Sequence, residues 1–150
     1  MRYLSVSDII LINNRICEKQ NQKATILNSE LLSQCSSSCK ATFDGKYLYK
    51  TASDRILKTV YSIVTLHPFS DSNKRTAFVA LFCLARMNGL YVTAPNRDTL
   101  QNTFIDIASG RMDFDEFRNT IRIVTYHYWK KHVIQSDPPN KAYKKLMKDL

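Results

Sequence analysis

An all-α domain of about six helices is the fold class that this sequence predicts, and three observations predict it. Apolar residues recur at helical spacing along almost all of residues 1–125, whereas strand alternation is weak. Residues that start and stop helices flank most of the periodic segments. Residues 77–85, "AFVALFCLA", are apolar without interruption, as expected of a helix at the centre of a bundle. The chain has 150 residues and 44% hydrophobic content, which fits one domain around one core.

The first helix opens in "SVSDIILINNRICEKQ". Ser5 stands three residues before Asp8 in a capping-type start, and Val6, Ile9, Ile10, Ile12, Ile16 and Cys17 form one apolar side. A second helix is expected over residues 29–39, with Asn28 as its cap. "ATFDGKY", residues 41–47, contains Asp44-Gly45 and reads as a turn within a short hairpin. A third helix runs from Leu48 through Ala52, Ile56, Val60, Ile63 and Val64 to Leu66. Pro68 ends it by disfavouring helical geometry at His67. The apolar central helix comes next and stops at Asn88-Gly89, where glycine suits the left-handed C-terminal position. "LYVTAP" reads as extended, and Asn96 caps a helix that Gly110 terminates. Asp113 and Glu116 then form a capping-box start for a helix through "FDEFRNTIRIVTYHYWKK". "SDPPN", residues 136–140, breaks the chain before a short terminal helix. The expected organisation is a helical domain over residues 1–128 and a basic extension over residues 129–150.

The net charge of +9 points to an acidic partner: nucleic acid, a nucleotide or an acidic protein segment. Part of it is a basic tail, where six lysines after residue 125 face Asp137 and Asp149. Of the four cysteines, Cys17 and Cys83 sit in apolar helical patterns. Cys35 and Cys39 have no second Cys/His cluster to complete a tetrahedral metal site, so reduced thiols are expected. No apolar stretch approaches the roughly 20 residues of a membrane span. The N-terminus lacks a small-residue cleavage pattern, so a cytoplasmic location is expected.

Between the third helix and the central one lies "HPFSDSNKRT", residues 67–76. A helix start exposes unpaired N–H groups that attract anions, phosphates above all, and Ser72, Asn73 and Lys74 stand at such a start. Lys74 and Arg75 oppose the helix dipole there unless an anion sits among them. Asp71 supplies the single carboxylate that Mg2+ takes beside phosphate oxygens. His67 is a proton acceptor of the kind that a hydroxyl nucleophile needs. Taken singly, each residue also reads as a cap, a turn residue or a solvated charge, and spacing alone leaves both readings standing.

The stretch resembles the Fic motif, His-Pro-Phe-x-[Asp/Glu]-[Gly/Ala]-Asn-[Gly/Lys]-Arg. It is more closely similar to the death-on-curing (Doc) branch of that family. There the motif reads His-x-Phe-x-Asp-Ala-Asn-Lys-Arg-Thr and a long apolar helix ends in Asn-Gly. The matching residues are His67, Phe69, Asp71, Asn73, Lys74, Arg75, Thr76, Asn88 and Gly89. "YLSVSDIILIN" and the helix at 97–109 also look similar, so the resemblance covers residues 3–125. It implies an all-helical domain that transfers part of a nucleotide, most often AMP, to a protein hydroxyl. It implies His67 as the base on that hydroxyl and Asp71 as the Mg2+ ligand. Asn73 and Arg75, with the adjoining Ser72 and Lys74, would hold phosphates, and Phe69 would anchor the loop by packing.

Two positions place the resemblance in the Doc branch. Lys74 stands where AMP-transferring members carry Gly, and Phe78 stands where they carry a second Arg. The resemblance then implies ATP bound in the inverted orientation and a toxin kinase that moves the γ-phosphate to a Ser or Thr. The implied target is elongation factor Tu, with arrest of translation. AMP transfer is the alternative, and a non-catalytic binding or co-repressor module is the third reading. Ser72 replaces the usual Gly or Ala, and Pro68 follows the wider Fic pattern. The inhibitory motif [Ser/Thr]-x-x-x-Glu-[Gly/Asn] has no match, since Lys19, Leu31 and Phe117 follow Glu18, Glu30 and Glu116. A separate, acidic, Phd-like antitoxin is therefore the expected partner. Nucleic acid is expected only through that complex or the basic tail, and no membrane partner is expected.

Overall fold

Local capping accounts for where most helices begin. Ser5 and Asp8 form a reciprocal box: Asp8 N–H donates to the Ser5 hydroxyl at 3.2 Å and Ser5 N–H donates to the Asp8 carboxylate at 2.8 Å. The Ser5 hydroxyl and N–H together hold the Asp8 carboxyl below its usual range. Thr51 with Asp54, and Asp113 with Glu116, repeat the arrangement. Asn28 accepts from the N–H groups of Glu30 and Leu31.

The computed structural model describes residues 1–93 and 97–125. Among them are six α-helices: α1 (Val6–Glu18), α2 (Ser29–Ser37), α3 (Ala52–Leu66), α4 (Asn73–Met87), α5 (Arg97–Ala108) and α6 (Phe114–Thr120). The all-α class therefore holds. The expected cap at Asn96, the boundary between residues 128 and 129, and the terminal helix lie outside the described residues. No helix among the described residues is long and apolar enough to cross a membrane.

The apolar helix α4 lies at the centre. It packs against α1, α3, α5 and the strand β3 (Leu90–Thr93). Ala77, Ala80, Leu81, Leu84 and Ala85 are buried, and Phe78 and Phe82 pack against the edge of the same core. Phe117 of α6 closes the far side, with its ring centroid 6.2 Å from those of both Tyr61 and Phe104. Asn88 and Gly89 (φ +66) end α4 as expected. The four cysteines are free, and burial pushes the Cys35 thiol up to about 12.

The expected hairpin forms from β1 (Thr42–Phe43) and β2 (Lys46–Tyr47). Its turn residues Asp44 (φ 50) and Gly45 (φ +69) are both left-handed, as a two-residue hairpin loop of type I′ demands. Two expectations need correction. The third helix starts at Ala52, not Leu48, because the Thr51–Asp54 box sets the start and Leu48 N–H returns to Ala41 O at 2.9 Å. The last helix stops at Thr120. The β-branched run after it becomes β4 (Arg122–Thr125), antiparallel to β3 with Val92 opposite Ile123. The expected apolar side of α1 forms: Ile9, Ile16 and Cys17 are buried and Val6, Ile10 and Ile12 pack against the core, with the buried Asn13 in the middle of the face.

Phe117 and Phe43 are the same residue type in opposite settings, 0% and 76% exposed. In urea denaturation, Phe117→Ala is expected to cost about 3–5 kcal/mol. Phe43→Ala is expected to stay within about 0.5 kcal/mol.

Candidate active site

The chain must leave α3, keep Phe69 in the core and enter α4 within six residues, 67–72. It does so with a left-handed residue at each end. His67 (φ 45, ψ 58) ends α3, and Ser72 (φ 65, ψ 14) precedes α4. Non-glycine residues avoid this region, so both conformations are held by their surroundings.

Those surroundings are specific. The Asn73 side chain closes back on the backbone of Phe69: its Nδ2 donates to Phe69 O at 2.7 Å and its Oδ1 accepts from Phe69 N–H at 3.1 Å. One buried amide thus satisfies both backbone groups of Phe69 while the ring, 1% exposed, sits in the core. From the other side, Ser70 N–H donates to Thr25 O and Leu27 N–H donates to Pro68 O, each at 2.9 Å. Residues 25–27 therefore brace the loop like a short strand. Asn13 of α1 donates to the Asp71 carbonyl and to Thr76 Oγ1, both at 3.1 Å.

The start of α4 has no side-chain cap, unlike α1, α2, α3 and α6. Its N-terminal end is thus available to an anion. Lys74 and Arg75 are exposed beside it. Asp71 accepts the N–H of Ser72 and pairs with Arg75 at 3.7 Å, both side chains being about half exposed. A pair this exposed contributes only about 0–1 kcal/mol, so a phosphate can take Arg75 from it. His67 is exposed, and its imidazole has no hydrogen-bond partner among the described residues. It is therefore open to an incoming hydroxyl. Phe78, three residues beyond Arg75, packs its ring on Phe82 and Phe104 at 5.0 and 5.7 Å between centroids.

The model of the Fic/DOC family matches residues 3–85, more than half of the chain. The chain belongs to the Fic/DOC family. The match spans α1, α2, α3 and most of α4, and so takes in the whole loop from His67 to Arg75. No curated protein matches the chain. Members of the Fic/DOC family are typically nucleotide-transferring enzymes.

Within this Fic/DOC site the loop residues named from sequence stand together but do not act alike. His67, Asp71, Lys74 and Arg75 expose their functional groups. The Asn73 side chain is committed to Phe69, so it shapes the loop and offers a ligand chiefly its backbone N–H. Ser72 is 5% exposed and offers backbone rather than hydroxyl, and its positive φ is a conformation that glycine takes without strain. The Asp71 carboxylate suits Mg2+, which needs one or two carboxylates when phosphates supply the rest. No cluster of three His, Cys, Asp or Glu that could hold a metal ion occurs among the described residues.

Asn13 and residues 25–27 were not singled out from sequence, and Cys17 was read there only as an apolar helix residue. For Asn13 the signal was present: an amide four residues after Ile9 and three before Ile16, on an otherwise apolar face.

Asn73→Asp keeps the shape but turns the donor to Phe69 O into an acceptor. It is expected to destabilise the fold by about 1–3 kcal/mol in urea. Ser72→Val, a β-branched residue at positive φ, is expected to cost about 1–2 kcal/mol, whereas Ser72→Gly is not expected to destabilise.

Proposed function

We propose that this Fic/DOC protein is a Doc-like toxin that moves the γ-phosphate of ATP to a Ser or Thr hydroxyl of a target protein. Elongation factor Tu is the proposed target, and arrest of translation the result. The observation that carries the choice of γ-phosphate is Phe78. AMP-transferring members place a second arginine at that position, and here the position faces α5 as an aromatic ring. The phosphate clamp is then Arg75, the mobile point charge of Lys74 and the uncapped N–H groups of α4.

The residues divide the work as follows. His67 takes the proton of the target hydroxyl as its oxygen bonds to the γ-phosphorus. The bridging bond to ADP breaks in the same displacement. Arg75, Lys74 and the start of α4 stabilise the charge that develops on the phosphate oxygens. Asp71 would hold Mg2+, which when bound neutralises phosphate charge. Phe69, Asn73 and residues 25–27 keep the loop from relaxing while this happens.

Two features bear on the setting. The net charge of +9 suits an acidic, partly disordered antitoxin that orders on binding. AMP transfer is the second reading, favoured by Pro68, which follows the wider Fic pattern and whose carbonyl anchors Leu27.

The deciding experiment incubates the protein and elongation factor Tu with ATP labelled at the α- or the γ-phosphate. The proposal expects γ-label alone on the target. Transfer of α-label would replace it with AMP transfer. Retained ATP binding with no transfer would favour another target or a non-catalytic module. His67→Ala is expected to lower transfer by about 100-fold or more with its helical circular dichroism unchanged. Unchanged transfer would remove His67 from the base role.

A further inference from the structure

One peptide plane in the loop is gripped at both ends. The peptide between Asp71 and Ser72 gives its N–H to the Asp71 carboxylate, and its carbonyl accepts from Asn13 Nδ2 at 3.1 Å. Asn13 lies on a different helix, 58 residues earlier in the chain. We propose that Asn13 is a positioning residue for the site: it fixes this peptide plane, and with it the direction of the Asp71 carboxylate and of the first N–H groups of α4. What is positioned for catalysis rests on the transferase reading above. The positioning itself does not.

The side chain has no freedom left. Asn13 is 0% exposed, and its second N–H donates to Thr76 Oγ1 at 3.1 Å. Thr76 is itself 0% exposed, and its N–H donates to Ser72 O at 2.8 Å. Asn13 Oδ1 accepts from the Cys17 thiol at 3.8 Å, and the same thiol lies 3.8 Å from Ser72 Oγ. The network therefore touches positions 71, 72 and 76 from two residues of α1.

Packing does not explain the amide. Ile9 and Ile16 flank it on the same buried face, and an aliphatic residue would bury there without desolvation cost. A buried amide is tolerated only when its polar atoms are paired, and here the pairing runs to the loop.

The strain at Ser72 shows what the grip prevents. Ser72 has φ 65, which a residue with a side chain leaves most directly by turning the 71–72 peptide. That turn would swing the Asp71 carbonyl oxygen to where the Ser72 N–H now meets the carboxylate. Two oxygens would then face each other, and the carboxylate would move. The hydrogen bond from Asn13 to the carbonyl opposes this turn.

The test uses the whole chain and reads the loop before any chemistry. Hydrogen exchange of the Ser72 amide is followed by NMR in nucleotide-free protein, and ATP–Mg2+ affinity is measured by calorimetry. In Asn13→Leu, Ser72 exchange is expected to quicken by at least about tenfold, with helix content retained. Affinity is expected to fall by about tenfold. Thr76→Val removes only the second acceptor of Asn13 and is expected to leave Ser72 exchange slow. If Asn13→Leu does not fold, Asn13→Asp serves the same comparison, and its carboxylate facing the Asp71 carbonyl is expected to quicken exchange as well. Unchanged Ser72 exchange in the folded variant would overturn the proposal and leave Asn13 as packing. Should the wild type bind no nucleotide while Ser72 exchange still responds to Asn13, the transferase reading fails and the positioning stands. Transfer by the wild type with a Ser72 amide indifferent to Asn13 is the reverse case.

Discussion

The pairing of the Asn73 amide with the backbone of Phe69 is the interaction on which the loop depends. A segment of six residues must reverse direction between α3 and α4 with an aromatic anchor in the core. Burying Phe69 also buries its N–H and C=O, and those groups have no helix or sheet to pair with. Asn73 supplies both partners from within the first turn of α4. With that closure made, His67 and Ser72 stand in left-handed conformations at the two ends of the loop.

That geometry has a chemical consequence. Ser72 in the left-handed region does not place its hydroxyl over the start of α4, so the helix begins without a side-chain cap. The N–H groups that a cap would satisfy are left to an external anion. Lys74 and Arg75, unfavourable beside a helix N-terminus in isolation, become favourable once a phosphate stands there. Asp71 balances Arg75 in the absence of ligand through a weak, exposed pair. The site is thus built from backbone direction first and side-chain charge second.

The parts of this arrangement that obey local rules were legible in the sequence. Ser5 with Asp8, Asn28, Asp44-Gly45 and Asn88-Gly89 each act within a few residues, and each did what its local chemistry dictates. The composition of the loop was legible too, because His, Asp, Lys and Arg gathered at a helix start are informative without coordinates. The failures share a different cause. Leu48 keeps helical spacing with Ala52, yet belongs to the hairpin, since its N–H bonds Ala41. Ile121 and Val124 continue a helical period, but pairing with β3 turns their segment into a strand. Asn13, Cys17 and Thr25 reach the loop only in three dimensions, and the split between exposed Arg75 and self-engaged Asn73 is equally invisible in one.

The central claim is that the start of α4 and its two cations form a phosphate site. The most direct test titrates the isotope-labelled chain with a non-hydrolysable ATP analogue and Mg2+ while following backbone amides by NMR. The account predicts saturable shifts that are largest at Asn73, Lys74 and Arg75, with the Arg75 side chain leaving Asp71. Saturable binding that shifts amides elsewhere and leaves those three unmoved would contradict it.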